Sequence, residues 1–239
     1  MPHVDPARGQ DGLRAGSGGA RQTGSQTLDR GLSLLEVLAA SPRPMTIGQV
    51  AQAAGLHRSI VYRLLRTLED HRLVSRDDSD RFRLGYGLVA LTRTLDPDLR
   101  AVASPHLRKL ADEVDLTAFL VVEERDHCVT LLVAEPTTPG TWFTQRVGTV
   151  HPVDRGAPGL ALMTHRPPTA GEPAEVGLGR ERGWTQSWGE VLDGVGAVAA
   201  PLHGHRVAAA IAVSYVGDPP RTDLADRVVA CAERIARRL

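Results

Sequence analysis

Apolar positions recur at helical spacing through the first third of the chain and at strand spacing through most of the rest. From Leu28 onward, Leu28, Leu32, Leu35 and Leu38 fall on one helical face, and a stretch with prolines at 42 and 44 ends the run. Thr46 and Gln49 then stand at the spacing of a capping box, opening a short helix whose inward set is Ile47, Val50, Ala51 and Ala54. Gly55 supplies its left-handed stop. Three residues on, Arg58 starts a helix with Val61, Leu64, Leu65 and Leu68 on its buried stripe. Two short helices joined by a tight glycine turn are the signature of a helix-turn-helix. Residues 73–76 and 81–84 read as short strands around the turn residues Asp77, Asp78, Ser79 and Asp80, so a wing follows.

Two further helices are predicted, one over about 88–95, broken at Asp96 and Pro97, and one carrying Ala103, Leu107, Leu110 and Val114 on one face. Beyond them the period shortens. Strands are expected at 119–123, 129–134, 142–147, 195–202 and 208–215, with a short helix near 157–164. A final helix opened by Thr222 presents Leu224, Val228, Cys231, Ile235 and Leu239 inward, and Arg234, Arg237 and Arg238 in its last turns suit the helix dipole. The Pro- and Gly-rich segment 166–179 reads as a loop. The fold class expected is therefore α+β: an N-terminal winged helix-turn-helix joined by linker helices to a mixed α/β domain with a largely antiparallel sheet. The divisions drawn are a disordered arm at 1–26, the winged domain at 27–86, a linker helix at 87–100 and an effector-binding and oligomerisation domain at 101–239.

Composition narrows the function. At 239 residues and 42% hydrophobic content the chain can bury a core. Its longest apolar run reaches only seven residues, far from the roughly 20 that a membrane helix needs. No signal-peptide pattern opens the chain, and two cysteines, Cys128 and Cys231, fit a reducing cytosol. A soluble cytoplasmic protein with no membrane partner is expected. The zero net charge divides unevenly: residues 1–95 carry 13 Arg against 9 acidic residues, and the remainder carries the opposite excess. A modest basic excess on the helix-turn-helix half points to a nucleic acid. The arm, with six glycines, has Arg8, Arg14 and Arg21 but no apolar periodicity, and reads as a solvated tail.

A recognition helix anchors one face and turns a polar face to base edges. With Val61, Leu64, Leu65 and Leu68 inward, Arg58, Ser59, Tyr62, Arg63 and Arg66 face out, flanked by Ile60. Arginine can grip guanine O6 and N7, serine can bond a base or a phosphate, tyrosine suits a phosphate, and Ile60 suits a thymine methyl. Thr46 and His57, at the starts of the two helices, complete the candidate set with Arg81 and Arg83 of the wing. The partner expected is a double-stranded DNA operator. Against this stand the bland readings: solvated arginines, a core Ile60, and an acidic wing turn that merely keeps the hairpin soluble.

The order of elements and several motifs resemble the IclR family of bacterial transcriptional regulators over about residues 27–239. The likeness is closest at Leu28-Asp29-Arg30-Gly31-Leu32, 46–55, 58–65 and 81–85. In the second half it rests on Val147-Gly148, Gly156-Ala157-Pro158-Gly159, 182–195 and Ala199-Ala200-Pro201-Leu202. The stretch 184–190 is similar to an actinobacterial subgroup tied to amino-acid metabolism. The resemblance implies a dimer built through the DNA-binding domains, often a tetramer, and a GAF-like effector domain that takes a small metabolite. Gly156 and Ala157 open a helix after a strand, where backbone N–H groups can meet an anion. The resemblance extends the effector contacts to Ser187, Ala197 and Ser214, and the effector expected is a small metabolite, with a carboxylate as the group that such a helix start would meet. A tight strand-to-helix turn with no ligand is the bland alternative. Ala197, Leu160 and Asp154 depart from the residues common in the family, and the span 163–181 is short, which leaves an open or vestigial pocket as a reading.

Catalytic readings find little support. His151-Pro152-Val153-Asp154 and His203-Gly204-His205 lack the further ligands that a metal needs. Cys128 and His127 are neighbours, so a strand would point them to opposite faces. There is no phosphate-binding loop and no dinucleotide fingerprint. No cofactor, no metal and no catalysis is the expectation. The alternatives carried forward are a regulator whose second domain only assembles subunits, and a metabolite-handling enzyme with an appended winged helix.

Overall fold

The computed structural model describes residues 24–138, 145–217 and 223–239, in two compact units that divide between Leu95 and Asp96. Arg8, Arg14 and Arg21 of the expected arm, and Thr222, lie outside the described residues.

The first unit is a winged helix-turn-helix. Helix α1 (Gln26–Ala40) starts at Ser25, whose hydroxyl accepts the Leu28 N–H, so the last two residues assigned to the arm already serve the helix. Its buried stripe is Gly31, Leu34 and Leu38, and Leu28 and Leu32 are exposed, which corrects the expected face. With leucines at 28, 32, 34, 35 and 38, two stripes are possible, and the chosen one puts Gly31 beneath Leu64. After β1 (Met45–Thr46), helix α2 (Ile47–Ala54) shows the full capping box, and Gly55 closes it at φ 64°. Helix α3 (Arg58–Asp70) is capped by His57, whose Nδ1 accepts the Ser59 N–H. Strands β2 (Val74–Arg76) and β3 (Arg81–Leu84) make the wing, and β1, absent from the expectation, adds to the far side of β3. Helix α4 (Gly87–Thr92) follows. Leu34, Leu38, Val50, Val61, Leu65, Val74 and Phe82 form the core.

The second unit is a six-stranded antiparallel sheet with helices on both faces. Helix α5 (Pro97–Val114) leads into β4 (Thr117–Glu124) and β5 (His127–Ala134). Next come β6 (Val150–Pro152), α6 (Gly156–Met163), α7 (Ala174–Arg182) and β7 (Thr185–Trp188). Strands β8 (Val195–Leu202) and β9 (Ala209–Val216) and helix α8 (Leu224–Ala236) complete it. The strand order is β6-β5-β4-β9-β8-β7. Alternation along β9 divides the core: Ala209, Ile211, Val213 and Tyr215 meet α5 and α8, while Ala210 and Ala212 meet α6. The α6 side also carries Ala197 and Ala199, so small side chains let a helix buried nearly all round lie close to the sheet.

Two expectations are corrected. Of the strand expected at 142–147, residues 142–144 lie outside the described residues and 145–147 are loop and turn; the strand on the outer side of β5 is β6, through Val129 and Val150. The loop expected at 166–179 contains the start of α7. Pro173 sits at its N-cap, where proline costs no hydrogen bond, and Gly179 is buried against Thr185. Arg180 braces the approach, gripping Glu172 at 2.5 and 3.0 Å and donating to the carbonyls of Met163 and Arg166. These partners are invisible to local composition.

Candidate functional site

The candidate nucleic-acid face is built on α3. Val61 and Leu65 are fully buried and Leu64 and Leu68 pack against them, which leaves Arg58, Ser59, Tyr62, Arg63 and Arg66 exposed on the opposite side. Ile60 is half-buried. Three candidates at the helix starts, Thr46, His57 and Ser59, already have partners within the domain. The Thr46 hydroxyl lies 3.1 Å from Gln49 Oε1 and accepts the Gln49 N–H, and the Ser59 hydroxyl lies 2.9 Å from His57 Nδ1. All three therefore shape helix starts.

On the wing, Arg81 and Arg83 are exposed on either side of buried Phe82. Arg83 Nε donates to Ser75 Oγ at 3.2 Å, which steadies its stem. The acidic turn has internal work: Asp77 accepts the N–H groups of Ser79 and Arg81, and Asp80 pairs with Arg76 at 2.6 Å. Arg76 in turn lies over the Phe82 ring. Local pairing of these carboxylates removes part of the repulsion that a phosphate would meet.

The candidate ligand site of the second unit lies at the start of α6. Ser187, Ala197, Ser214 and Thr117 stand abreast across β7, β8, β9 and β4. Their row faces α6, and Ser187 Oγ accepts the Ala157 N–H at 2.7 Å. Gly156 N–H donates to Glu190 Oε2 at 2.8 Å, so both amides that the sequence reading assigned to a ligand carry acceptors from this chain. Glu190 is absent from the expected set. It lies 34 residues from Gly156, and no local pattern signals the contact. Beneath, the buried Thr185 hydroxyl donates to the Ala157 carbonyl at 2.8 Å. A cavity of about 540 Å³ opens beside β7, lined by Glu175, Gln186, Ser187, Trp188, Glu190 and Tyr215. Ser214 and Ala197, both buried, lie in the row rather than in that lining.

The histidine and cysteine candidates are dispersed. His203 meets the ring of His165 edge-on at 5.1 Å, whereas His205 Nε2 stands 3.4 Å from Asp96. Among the described residues no group of three or more His, Cys, Asp or Glu is placed to hold a metal ion. Burial pushes the Cys128 thiol up to about 12, with the Glu123 carboxylate adding to it, and pushes Cys231 to about 11. Neither forms the thiolate that nucleophilic chemistry needs near neutral pH. Among the described residues no helix is long and apolar enough to cross a membrane.

Comparison with known proteins agrees with this arrangement. Residues 27–78 match the IclR helix-turn-helix domain family. The glycerol operon regulatory protein of Streptomyces griseus is 28% identical over 246 residues, covering 90% of this chain and 96% of that protein. The crystal structure of an IclR transcriptional regulator from Alicyclobacillus acidocaldarius superposes with a TM-score of 0.73 at 25% identity, over 90% of this chain and 98% of the other. An IclR homologue from Microbacterium hydrocarbonoxydans, solved with 4-hydroxybenzoate, shares the fold at a TM-score of 0.75 and 19% identity, over 89% and 98%. A winged helix-turn-helix, the antiparallel α+β domain that follows it and these likenesses lead to one assignment: residues 27–78 are an IclR helix-turn-helix domain, and the chain is similar over nine-tenths of its length to transcriptional regulators that carry that domain.

Proposed function

We propose that this DNA-binding regulator reads its operator through α3 and the wing, and that its second unit takes a small-molecule effector whose occupancy changes operator affinity. In this reading residues 27–86 bind DNA, 87–100 link, and 101–239 sense and oligomerise. The observation that carries the DNA half is the exposed set Arg58, Ser59, Tyr62, Arg63 and Arg66, opposite the buried Val61 and Leu65. The effector half is supported by the cavity beside β7 and by the 4-hydroxybenzoate in the Microbacterium homologue. Assembly into a dimer or tetramer is supported by large apolar side chains left exposed on α1 (Leu28, Leu32) and α4 (Val89, Leu91). Coupling is a linkage: an effector that binds one operator-competent arrangement better than another shifts the balance between them.

The test is fluorescence anisotropy on the DNA upstream of the protein's own gene, at several salt concentrations, against a scrambled duplex. Wild type should prefer its own DNA by about a thousandfold or more, and Arg63→Ala should erode that preference. Equal, purely salt-dependent binding to both duplexes overturns it. A thermal-shift panel of polyols, amino acids, amines and organic acids, read again in the anisotropy assay, tests the effector half. A second reading, in which the second unit only assembles subunits, is favoured by Ser187 and Glu190 already occupying the first amides of α6. It predicts that no compound moves either readout.

A further inference from the structure

The start of α6 is covered by the chain's own side chains. A helix N-terminus leaves amides without intrahelical partners and carries a partial positive charge. In α6 the N-cap residue, Arg155, makes no side-chain cap. The acceptors come instead from β7 and the turn after it: Ser187 Oγ on the Ala157 N–H and the Glu190 carboxylate on the Gly156 N–H. Val191, the residue after Glu190, packs so closely on Gly156 that a β-carbon there would stand 2.7 Å from its Cγ2. That turn is itself closed, Gly189 N–H donating to Val195 O and Val195 N–H to Leu192 O. The carboxylate is thus delivered by an ordered segment that also shields the amide from the side.

The cavity next to it points the same way. Of its lining residues, Glu175 and Glu190 are the charged ones, and both are acidic. Glu175 already receives Arg182 and the Gln186 N–H. The Trp188 and Tyr215 rings lie 5.8 Å apart beside them. Aromatic faces and carboxylates attract neutral or cationic groups and repel anions.

We propose that Glu190 is a specificity-determining residue of the effector site: its carboxylate fills the anion-accepting end of α6, so that this chain takes effectors that are uncharged or cationic there and rejects free carboxylates. The proposal rests on the reading that the second unit binds an effector. A ligand carboxylate would exchange one carboxylate for another at the same amide and gain no net electrostatic interaction. Its competitor is tethered, at an effective concentration of mM or above, so an acid of mM intrinsic affinity stays unbound. The proposal departs from the carboxylate-bearing effector expected from the sequence.

Chemical rescue tests this directly in the full-length chain, with acetate as the probe. Glu190→Ala should lower the melting temperature and open a space of about the size of a small carboxylate. Potassium acetate should then raise the melting temperature of Glu190→Ala, where potassium chloride at equal ionic strength does not. Wild type and Glu190→Gln should ignore acetate, since each keeps an acceptor in place. Acetate stabilising wild type as much as Glu190→Ala, or leaving Glu190→Ala where chloride leaves it, overturns the proposal. If Glu190→Ala does not fold, the Gly156 amide resonance decides. It should move with carboxyl titration in wild type and stay still in Glu190→Gln, and equal movement in both overturns the assignment. Failure of the effector reading looks different: no compound changes operator affinity in wild type or variant, whatever acetate does.

Discussion

Arg58, the first residue of α3, lays its guanidinium against Gly48 near the start of α2, so that a β-carbon at position 48 would stand 2.5 Å from Nη2. An exposed arginine at the start of the candidate recognition helix is therefore aimed by the absence of a side chain on the preceding helix. The contact is with the far end of a flexible chain, so Gly48→Ala should fold normally. Alanine is favoured over glycine within a helix by about 0.5–1 kcal/mol, and the melting temperature should hold or rise. Arg58 must leave its present direction, and operator affinity should fall several-fold by anisotropy. A fall in melting temperature without a change in affinity would place the role of Gly48 in helix packing instead.

The capping box on α2 separates folding from recognition at Thr46. The Thr46 N–H donates to Gln49 Oε1 at 2.8 Å and its hydroxyl accepts the Gln49 N–H at 3.4 Å. Removing the hydroxyl in Thr46→Ala should cost about 1 kcal/mol, read in urea unfolding, and Thr46→Ser should retain most of it. If Thr46 also touches the operator, Thr46→Ala loses more affinity than Gln49→Ala at matched stability. Equal losses would assign Thr46 to the cap alone.

That capping box shows what kind of information the chain carries openly. Thr46, Gln49 and Gly55 are legible because cap and stop chemistry act over three or four residues, and the Arg81-Phe82-Arg83-Leu84 alternation because a strand repeats every two. The leucines of α1 were harder: five of them within eleven residues permit two stripes, and tertiary packing on Leu64 decides between them. Helix α7 hides behind Pro173 and two glycines because its support is the Arg180–Glu172 pair and the close fit of Gly179 on Thr185. The row Ser187, Ala197, Ser214 was reached through resemblance, and the register that aligns it is a property of the sheet. Glu190 was missed altogether, since a carboxylate on a turn reads as a solvated charge until the fold brings Gly156 to it.

Acid should weaken the second unit through its histidines. Burial, above all, holds the His165 imidazole below the ordinary 6.5, with the nearby His203 adding to the effect and the Ala209 carbonyl and Glu123 opposing it. His151 is lowered too, again chiefly by burial. A histidine whose folded pKa is depressed takes up protons more readily when unfolded, so stability present above about pH 6.5 is lost as the pH falls through the lowered folded values. The urea midpoint should therefore drop between pH 7.5 and 5.5. His165→Gln, whose amide can replace the Nε2 contact to the Ala209 carbonyl at 3.2 Å, should show a shallower drop. An unchanged slope would assign the proton uptake to His151 and the remaining histidines.

Gly196 and Tyr215 face each other across β8 and β9, and the tyrosine ring lies over the glycine. Tyr215 is almost fully buried there, with Trp188 on the next strand over packed beside it. A glycine inside a strand forgoes side-chain packing, and here the ring covers the bare backbone in its place. Any β-carbon at 196 would overlap the Tyr215 ring, so the ring must turn out rather than give slightly. Gly196→Ala should cost about 1–3 kcal/mol through overpacking and should raise the exposure of Trp188, seen as a red shift in its fluorescence. Operator binding is built in the other unit, so at a temperature where the variant is folded its affinity for DNA without effector should match wild type. A Gly196→Ala variant as stable as wild type would mean that the ring has a second resting place. The cavity lined by Trp188 and Tyr215 would then be adaptable in shape rather than preformed.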